Sequence, residues 1–427
     1  MLKPLAFFLL ACAALPAQQI PAATELSGRP FSIQQTWNIG GEGNWDYVTL
    51  DTSAHRLYIA HGHAVQVVDV DAGAVAGEIG GLGDAHAIAL DDRGDFGYIS
   101  DGVANMVRVF DRRTLRVVAS IPTGPLPRAL VFDPQTGLLF AVCSTPVNAA
   151  PANPKSPARP QPRPAASPVR APARAPARPS AEEDYRSSIT VIDAEKQQAL
   201  GDILMPGRLG FAATDLNGQL FINVLNRNQI ARLDAAAIAA LARAHAPSPP
   251  TAKPAEETGP APLADWSNDR RLPASAAGRL TLLSLGADCR EPHGLAVDGV
   301  HQRLFAACAN MKLVVLNAST GDQLAALPIG PGVEAVGYDP SRNLIFTANG
   351  GAQGSLTVIR QHVTDTYAEI QNLPTRQRAR TLAVDPVAGR VYLITDVVGV
   401  KIDPQGGIGT LETAPLKGSF QVLAIGN

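Results

Sequence analysis

The sequence lacks the short motifs that mark several common chemistries. It contains no Cys-x-x-Cys-His run, no Gly-x-Ser-x-Gly turn, no His-Glu-x-x-His pair and no phosphate-binding loop. It also lacks an excess of either charge, with 36 Lys and Arg residues against 38 Asp and Glu residues. The absent motifs exclude attached c-type haem and leave no familiar catalytic signature. The balanced charge gives no support to electrostatic binding of nucleic acid or of acidic membranes.

Long apolar runs are also missing, except at the N-terminus. Lys3 precedes an apolar stretch at 5–15 (LAFFLLACAAL), which is too short for a stable membrane anchor. We interpret 1–17 as a signal peptide cleaved after Ala17. This predicts an exported chain, periplasmic or extracellular, without a transmembrane segment. The run 9–12 (LLAC) offers an alternative, a lipoprotein lipidated at Cys12.

A repeated pattern dominates the rest of the sequence. An Asp that ends an apolar stretch is followed by an aromatic residue, seven positions later in six pairs and six positions later in one. The pairs are Asp51/Tyr58, Asp91/Tyr98, Asp133/Phe140, Asp215/Phe221, Asp298/Phe305, Asp339/Phe346 and Asp385/Tyr392. Successive Asp residues are 40, 42, 82, 83, 41 and 46 positions apart. A period near forty with two insertions is typical of a β-propeller.

Each repeat contains four short apolar stretches with the alternation of β-strands, separated by turn residues. We therefore predict an all-β fold over 31–427, a seven-bladed β-propeller with four antiparallel strands in each blade. The segment 31–39 resembles a fourth strand that lacks the preceding three, and 419–425 ends the last repeat. The N- and C-terminal strands are therefore expected to share the last blade and to close the ring.

The second strands of several repeats resemble the motif Tyr-Val-Thr-Asn. They read YIAH at 58–61, YISD at 98–101 and FTAN at 346–349. With 289–308 and the ending 418–427, they make the chain similar to the YncE-like family of exported YVTN-repeat propellers, from 31 to the C-terminus. The resemblance implies the seven-bladed fold. It also implies a binding module for ligands, proteins or cell surfaces, with single-stranded DNA binding in some members.

Two insertions interrupt the repeats. The segment 146–179, in blade 3, contains eleven prolines, five arginines, one lysine and no acid, a composition typical of disorder. We interpret it as a solvated loop, with a basic tether for an anionic polymer and a docking segment for a protein as alternatives. The Ala- and Pro-rich segment 235–277, in blade 4, begins with a short helix that Asp234 is expected to cap.

The candidate site lies five residues before each repeated Asp, at the start of the first strand of each blade. In a propeller, the N-terminal ends of the first strands of all blades converge on the central channel. Six of the seven residues are polar, and we predict that they form a ligand-binding ring at the channel mouth: Asp46, His86, Arg128, His293, Glu334 and Arg380, with Gly210 at the seventh position. Arg128 and Arg380 suit a carboxylate or phosphate, and the arginines disfavour a bound metal ion.

Three cysteines remain after the predicted cleavage. Cys289 and Cys308 flank the first two strands of one blade, and we predict a disulfide between them, which leaves Cys143 free. His61 and His63 form a His-x-His pair whose rings share one face of a strand. Such a pair can bind a metal ion, but histidines in loops are more often ordinary surface residues, and we predict no metal and no cofactor.

We predict a monomeric, non-enzymatic exported propeller that acts as a ligand- or protein-binding or scaffold module of the cell envelope. Its partner would be a small anionic ligand or an envelope protein or polymer. One alternative is a lactone-hydrolase- or lyase-like enzyme, with His86 or His293 as general base, Glu334 beside it, and the arginines holding an anionic intermediate. A weaker alternative is single-stranded nucleic acid binding, which the repeat positions of most aromatics disfavour.

Limited trypsin digestion should cut the folded protein first within 146–179, because an exposed, unpacked tract is the preferred site of nicking. Mass spectrometry of the fragments would locate the cuts, and the two fragments should stay associated in size-exclusion chromatography. Protection of this segment while the turns between strands are cut would show that the compositional argument is wrong.

Overall fold

Seven four-stranded antiparallel sheets follow one another along the chain, as the repeats predict. A computed structural model describes residues 29–41, 44–91, 94–147, 185–245, 271–272, 280–362, 365–401 and 412–427. The predicted signal peptide and nearly all of the insertion 146–179 lie outside these residues.

The first strand of the chain, β1 (Ser32–Asn38), belongs to the last blade. Each of the other six blades is built from four consecutive strands. Blade 1 contains β2 (Trp45–Asp51), β3 (Arg56–His61), β4 (Ala64–Asp69) and β5 (Ala74–Ile79). Blade 2 contains β6 (Ala85–Leu90), β7 (Phe96–Asp101), β8 (Met106–Asp111) and β9 (Arg116–Pro122). Blade 3 contains β10 (Pro127–Asp133), β11 (Leu138–Pro146), β12 (Tyr185–Asp193) and β13 (Gln198–Met205).

The remaining blades follow the same order. Blade 4 contains β14 (Leu209–Thr214), β15 (Gln219–Val224), β16 (Gln229–Asp234) and β17 (Leu280–Ser284), with helix α1 (Ala235–His245) after β16 and a short 3-10 turn at Leu225–Arg227. Blade 5 contains β18 (Pro292–Asp298), β19 (Arg303–Cys308), β20 (Lys312–Asn317) and β21 (Gln323–Pro328). Blade 6 contains β22 (Val333–Asp339), β23 (Leu344–Asn349), β24 (Ser355–Gln361) and β25 (Tyr367–Pro374).

The last blade joins the two ends of the chain. It contains β26 (Thr381–Asp385), β27 (Arg390–Thr395), β30 (Gln421–Gly426) and β1, with a hairpin of β28 (Val398–Lys401) and β29 (Glu412–Pro415) between its second and third strands. Strand β1 pairs antiparallel with β30, and Trp37 lies opposite Val422. The inner strands β2, β6, β10, β14, β18, β22 and β26 contact one another in turn, and β26 contacts β2. The predicted ring closure is confirmed.

The repeated Asp and aromatic residues have structural roles. All seven aromatics are at most 1% exposed, because each packs in the apolar layer between two neighbouring blades. Six of the Asp carboxylates accept backbone N–H groups from the turn between the first and second strands, as Asp339 does from Ser341 and Arg342. The repeated pattern therefore marks tight turns and the core.

The start of the second insertion packs as a helix against blades 3 and 4. Asp234 caps α1 as predicted, since its carboxylate accepts the N–H of Ala237 at 2.8 Å. Ile238 and Ala242 are buried in a core that also contains Leu272. Residues 246–270 and 273–279 of this insertion lie outside the described chain. Among the described residues, no helix has the length and apolar character needed to span a membrane.

The structure brings the two cysteines of blade 5 together. The sulfur atoms of Cys289 and Cys308 are 2.02 Å apart, and their Cα atoms are 5.3 Å apart. Cys143 is buried without a cysteine partner, and burial raises the pKa of its thiol to about 12. This thiol is therefore protonated at neutral pH and unreactive.

Peptide mapping without reduction should detect a peptide that links Cys289 to Cys308 in protein prepared from an oxidising compartment. Replacing both cysteines by Ser should lower the free energy of unfolding by about 3 kcal/mol, because the bridge closes a loop of 19 residues. A Cys143→Ser variant, as control, should keep the linked peptide. Free thiols at both bridge positions would contradict the pairing.

Candidate functional site

Five of the six predicted ring residues, all except Arg380, lie where the inner strands lose regular pairing, and so does Gly210. In six blades the pairing of the first and second strands shifts in register beside the ring residue. The shifts fall between Trp45 and Val48, Ala85 and Ile88, Pro127 and Ala129, Leu209 and Ala212, Pro292 and Gly294, and Val333 and Ala335. A bulge releases its residues from strict alternation and re-aims their side chains. The bulges therefore allow polar side chains in otherwise buried strands.

His86 joins the first two blades through two carboxylates. Its Nδ1 lies 2.8 Å from Asp46 Oδ2, and its Nε2 lies 3.2 Å from Asp84 Oδ2. The imidazole is only 8% exposed. Burial opposes its protonation, but the hydrogen bonds to Asp46 and Asp84 outweigh burial and raise the pKa of His86 to about 9. His86 is therefore an imidazolium at neutral pH, with Nδ1 donating a hydrogen bond to Asp46 and Nε2 within ion-pair distance of Asp84.

A second layer holds Asp84 in place. The backbone N–H groups of Gly83 and Asp84 donate to the carboxylate of Asp101 at 3.0–3.1 Å. Asp101 also accepts a hydrogen bond from Arg108 Nε at 3.1 Å, and both side chains are buried. The sequence analysis missed Asp84, although an acid two residues before a candidate His was a visible signal.

A second paired group lies between blades 6, 7 and 1. Arg380 Nε lies 2.9 Å from Glu334 Oε2, and Arg378 Nε lies 3.0 Å from Asp396 Oδ1. The two guanidinium groups lie 4.8 and 5.5 Å from the ring centre of buried Trp45. Burial raises the pKa of Glu334 above its ordinary value, although the positive charge of Arg380 lowers it in part. Arg378, Asp396 and Trp45 were not predicted from the sequence, because contacts between residues far apart along the chain leave no local pattern.

The other ring residues are less constrained. Arg128 is exposed and forms no ion pair with any residue that the structure describes. Burial lowers the pKa of His293, and its nearest carboxylate oxygen, on Glu291, is 3.8 Å from Nε2. At Gly210 a Cβ atom would lie 2.4 Å from Leu225 Cδ1, the end of a flexible side chain that would have to shift. The structure brings together Asp46 with His86 and Glu334 with Arg380, but His293 lies beside Glu291.

An aromatic pair crosses the channel beneath the ring. Tyr47 follows Asp46 on β2, Phe211 follows Gly210 on β14, and their ring centres are 4.2 Å apart. Blades 1 and 4 are not neighbours in the ring, so this contact spans the channel. Further along the inner strands, a cavity of about 370 Å³ is lined by residues such as Val48, Val336 and Tyr338. Their order along the strands places the aromatic pair between the charged mouth and this cavity.

The His-x-His pair does not form a metal centre in the described chain. His61 stacks on Phe420, with ring centres 4.2 Å apart, and His63 Nδ1 lies 2.6 Å from the carbonyl oxygen of Gly83. Within the described ranges, no group of three or more His, Cys, Asp or Glu side chains is arranged to hold a metal ion.

The comparisons with known proteins support the fold alone. No family model matches the chain, and no curated protein matches it. A chain of a mitotic checkpoint complex has a TM-score of 0.56 at 12% identity, with 92% of this chain and 95% of that chain covered. The structure of U3-55K has a TM-score of 0.57 at 8% identity, with 90% and 97% covered. Hydrazine synthase from Kuenenia stuttgartiensis has a TM-score of 0.54 at 12% identity, with 87% and 96% covered. The protein is a seven-bladed β-propeller.

The free energy of unfolding should decrease as the pH rises from about 6.5 to about 9. Folded His86 holds its proton more tightly than unfolded His86, so this stabilisation is complete below the unfolded pKa and is lost as the pH passes the folded pKa. The decrease should be about 3 kcal/mol by denaturant titration. A His86→Gln variant should lack most of it. Parallel pH profiles for the two proteins would contradict the assignment.

Proposed function

We propose that this protein is an exported, non-enzymatic β-propeller, related to the YncE-like YVTN proteins, that binds a ligand at the charged mouth of its channel. The observation that carries the proposal is the ring position, which places charged groups of several blades at one mouth. Asp46, Arg128 and Glu334 all act on the pKa of Tyr47, although they come from blades 1, 3 and 6. A ligand held there contacts several blades at once.

The state of the histidines favours binding over catalysis. A general base must be unprotonated at the working pH and must lie beside the group that orients it. His86 is held as an imidazolium between Asp46 and Asp84. His293 is neutral, but the 3.8 Å distance to Glu291 exceeds a hydrogen bond. Neither histidine therefore has the arrangement of an activated base.

Two features support export and a role in the cell envelope. The N-terminal segment 1–17 has the charge and apolar pattern of a signal peptide. Cys289 and Cys308 have the geometry of a disulfide, a bond that persists in oxidising compartments. Binding or scaffolding in the envelope, with an anionic ligand or an envelope protein or polymer as partner, fits this location and the resemblance to YVTN propellers.

A thermal-shift screen of the mature protein tests the binding function. The ligand classes are metal ions, sugars, organic anions and oligonucleotides. A ligand present at a hundred times its dissociation constant stabilises the folded state by about 2.7 kcal/mol, which raises the melting temperature. At least one class should do so, and the ligand should be recovered unchanged by NMR after incubation.

Hydrogen exchange then tests the place of binding. The ligand should slow amide exchange in the loops before β6, β10 and β22, and it should leave the turns after Asp298 and Asp339 on the opposite face unchanged. Failure of every class to stabilise the protein, or conversion of the ligand, would overturn the proposed function.

A further inference from the structure

The channel mouth divides into two sectors of different character. In the paired sector, formed by blades 6, 7, 1 and 2, each charged side chain of the site has an opposite charge within 3.2 Å. The open sector, formed by blades 3, 4 and 5, contains Arg128, Arg208, Gly210 and His293. His293 is neutral, and neither arginine forms an ion pair within the described part of the chain. Among the described residues, the open sector therefore carries a net positive charge, since its two arginines are accompanied by one acid, Glu291 beside His293.

Arg128 is the cation of the open sector that faces the centre of the mouth. Its positive charge acts on the pKa of Tyr47 from blade 1 and on that of His86 from blade 2. Arg208 lies further from the axis, since its guanidinium lies 5.9 Å from the ring of Tyr185 on the third strand of blade 3. Arg128 is exposed, and none of its five N–H donors has a partner within the described ranges, so they can bind a planar anion.

Tyr47, the neighbour of the ring position on β2, carries a hydroxyl group on which the charge of Arg128 acts. Its hydroxyl has no hydrogen-bond partner among the described residues, and its ring is fixed by the stack on Phe211. Burial and the charges of Asp46 and Glu334 hold the pKa of Tyr47 well above its ordinary value. The hydroxyl is therefore always a hydrogen-bond donor at neutral pH, whereas its neighbours Asp46 and Glu334 already have the cationic partners His86 and Arg380.

We propose that the open sector binds the carboxylate of a small planar organic acid, with Arg128 and the Tyr47 hydroxyl donating hydrogen bonds to it and Phe211 contacting its ring. The proposal rests on the proposed function, since it names the ligand class of the same mouth. A guanidinium matches a carboxylate through two parallel hydrogen bonds. A half-buried aromatic pair at the floor of the mouth offers a surface for an apolar ring.

A single negative charge fits the mouth better than a double one. Asp46 and Glu334 lie near enough to raise the pKa of Tyr47, so they also repel any anion placed beside its hydroxyl. One guanidinium compensates one carboxylate, whereas a phosphate dianion keeps excess charge next to these two acids. A carboxylate should therefore bind more tightly than inorganic phosphate.

Titration calorimetry of the mature protein with benzoate tests this proposal. Arg128→Gln should weaken benzoate binding about ten- to a hundred-fold, the equivalent of one charged hydrogen bond. Tyr47→Phe keeps the aromatic stack and should weaken binding about two- to ten-fold, the equivalent of one neutral hydrogen bond. Arg116→Gln is the matched control, an exposed arginine at the opposite end of blade 2, and it should have no effect.

Acetate tests the contact with the aromatic ring, and inorganic phosphate tests the preference for a single negative charge. Acetate should bind more weakly than benzoate, since it lacks the ring that contacts the aromatic floor. Unchanged benzoate affinity in Arg128→Gln, absence of benzoate binding, or tighter binding of phosphate would each overturn the proposal. If another ligand class then stabilises the protein and protects the mouth, the proposed function stands while this assignment fails.

Discussion

The pairing of β1 with β30 is the interaction on which the rest of the molecule depends. A blade has two apolar faces, and only its neighbours in the ring can bury them. Without β1, β30 would be an unpaired edge and the last blade would cover less of blades 6 and 1. The side chain of Gln371 strengthens this closure, because it bonds both the N–H and the C=O of Phe31 at 2.8 Å.

A closed ring also determines the electrostatics of its mouth. Seven inner strands begin on one face, so charged residues at their starts are brought close to one another whatever their sequence distance. Buried charge is costly unless it is paired, and the buried members of the ring are paired: His86 with Asp46, and Arg380 with Glu334. Arg128, which forms no ion pair with a residue that the structure describes, tolerates this because it is exposed. The charges of the paired sector thus neutralise one another, and Arg128 is the cation that remains available to a ligand.

The sequence predicted the fold because every blade repeats the same structural requirement. The Asp at the end of the inner strand binds the turn in six blades, and the aromatic residue six or seven positions later fills the layer between blades, so the same pair of residue types recurs seven times. The ring position was also predictable as a polar residue in an apolar strand. The Tyr47–Phe211 contact was not predictable, because it depends on which blades face one another across the channel.

The residues at the two ends of an inner strand therefore have different roles: one end forms a turn that is repeated in the blades, and the other end forms a contact that occurs once. On β22, Asp339 at one end accepts N–H groups of a turn, while Glu334 at the other end contacts Arg380 of the next blade. A change at Asp339 alters a requirement shared by all blades, whereas a change at Glu334 alters one contact at the mouth. Repetition makes the first kind of residue visible in a single sequence. Each mouth residue occurs once, so the identity of a ligand has to be argued from the contacts that the ring creates.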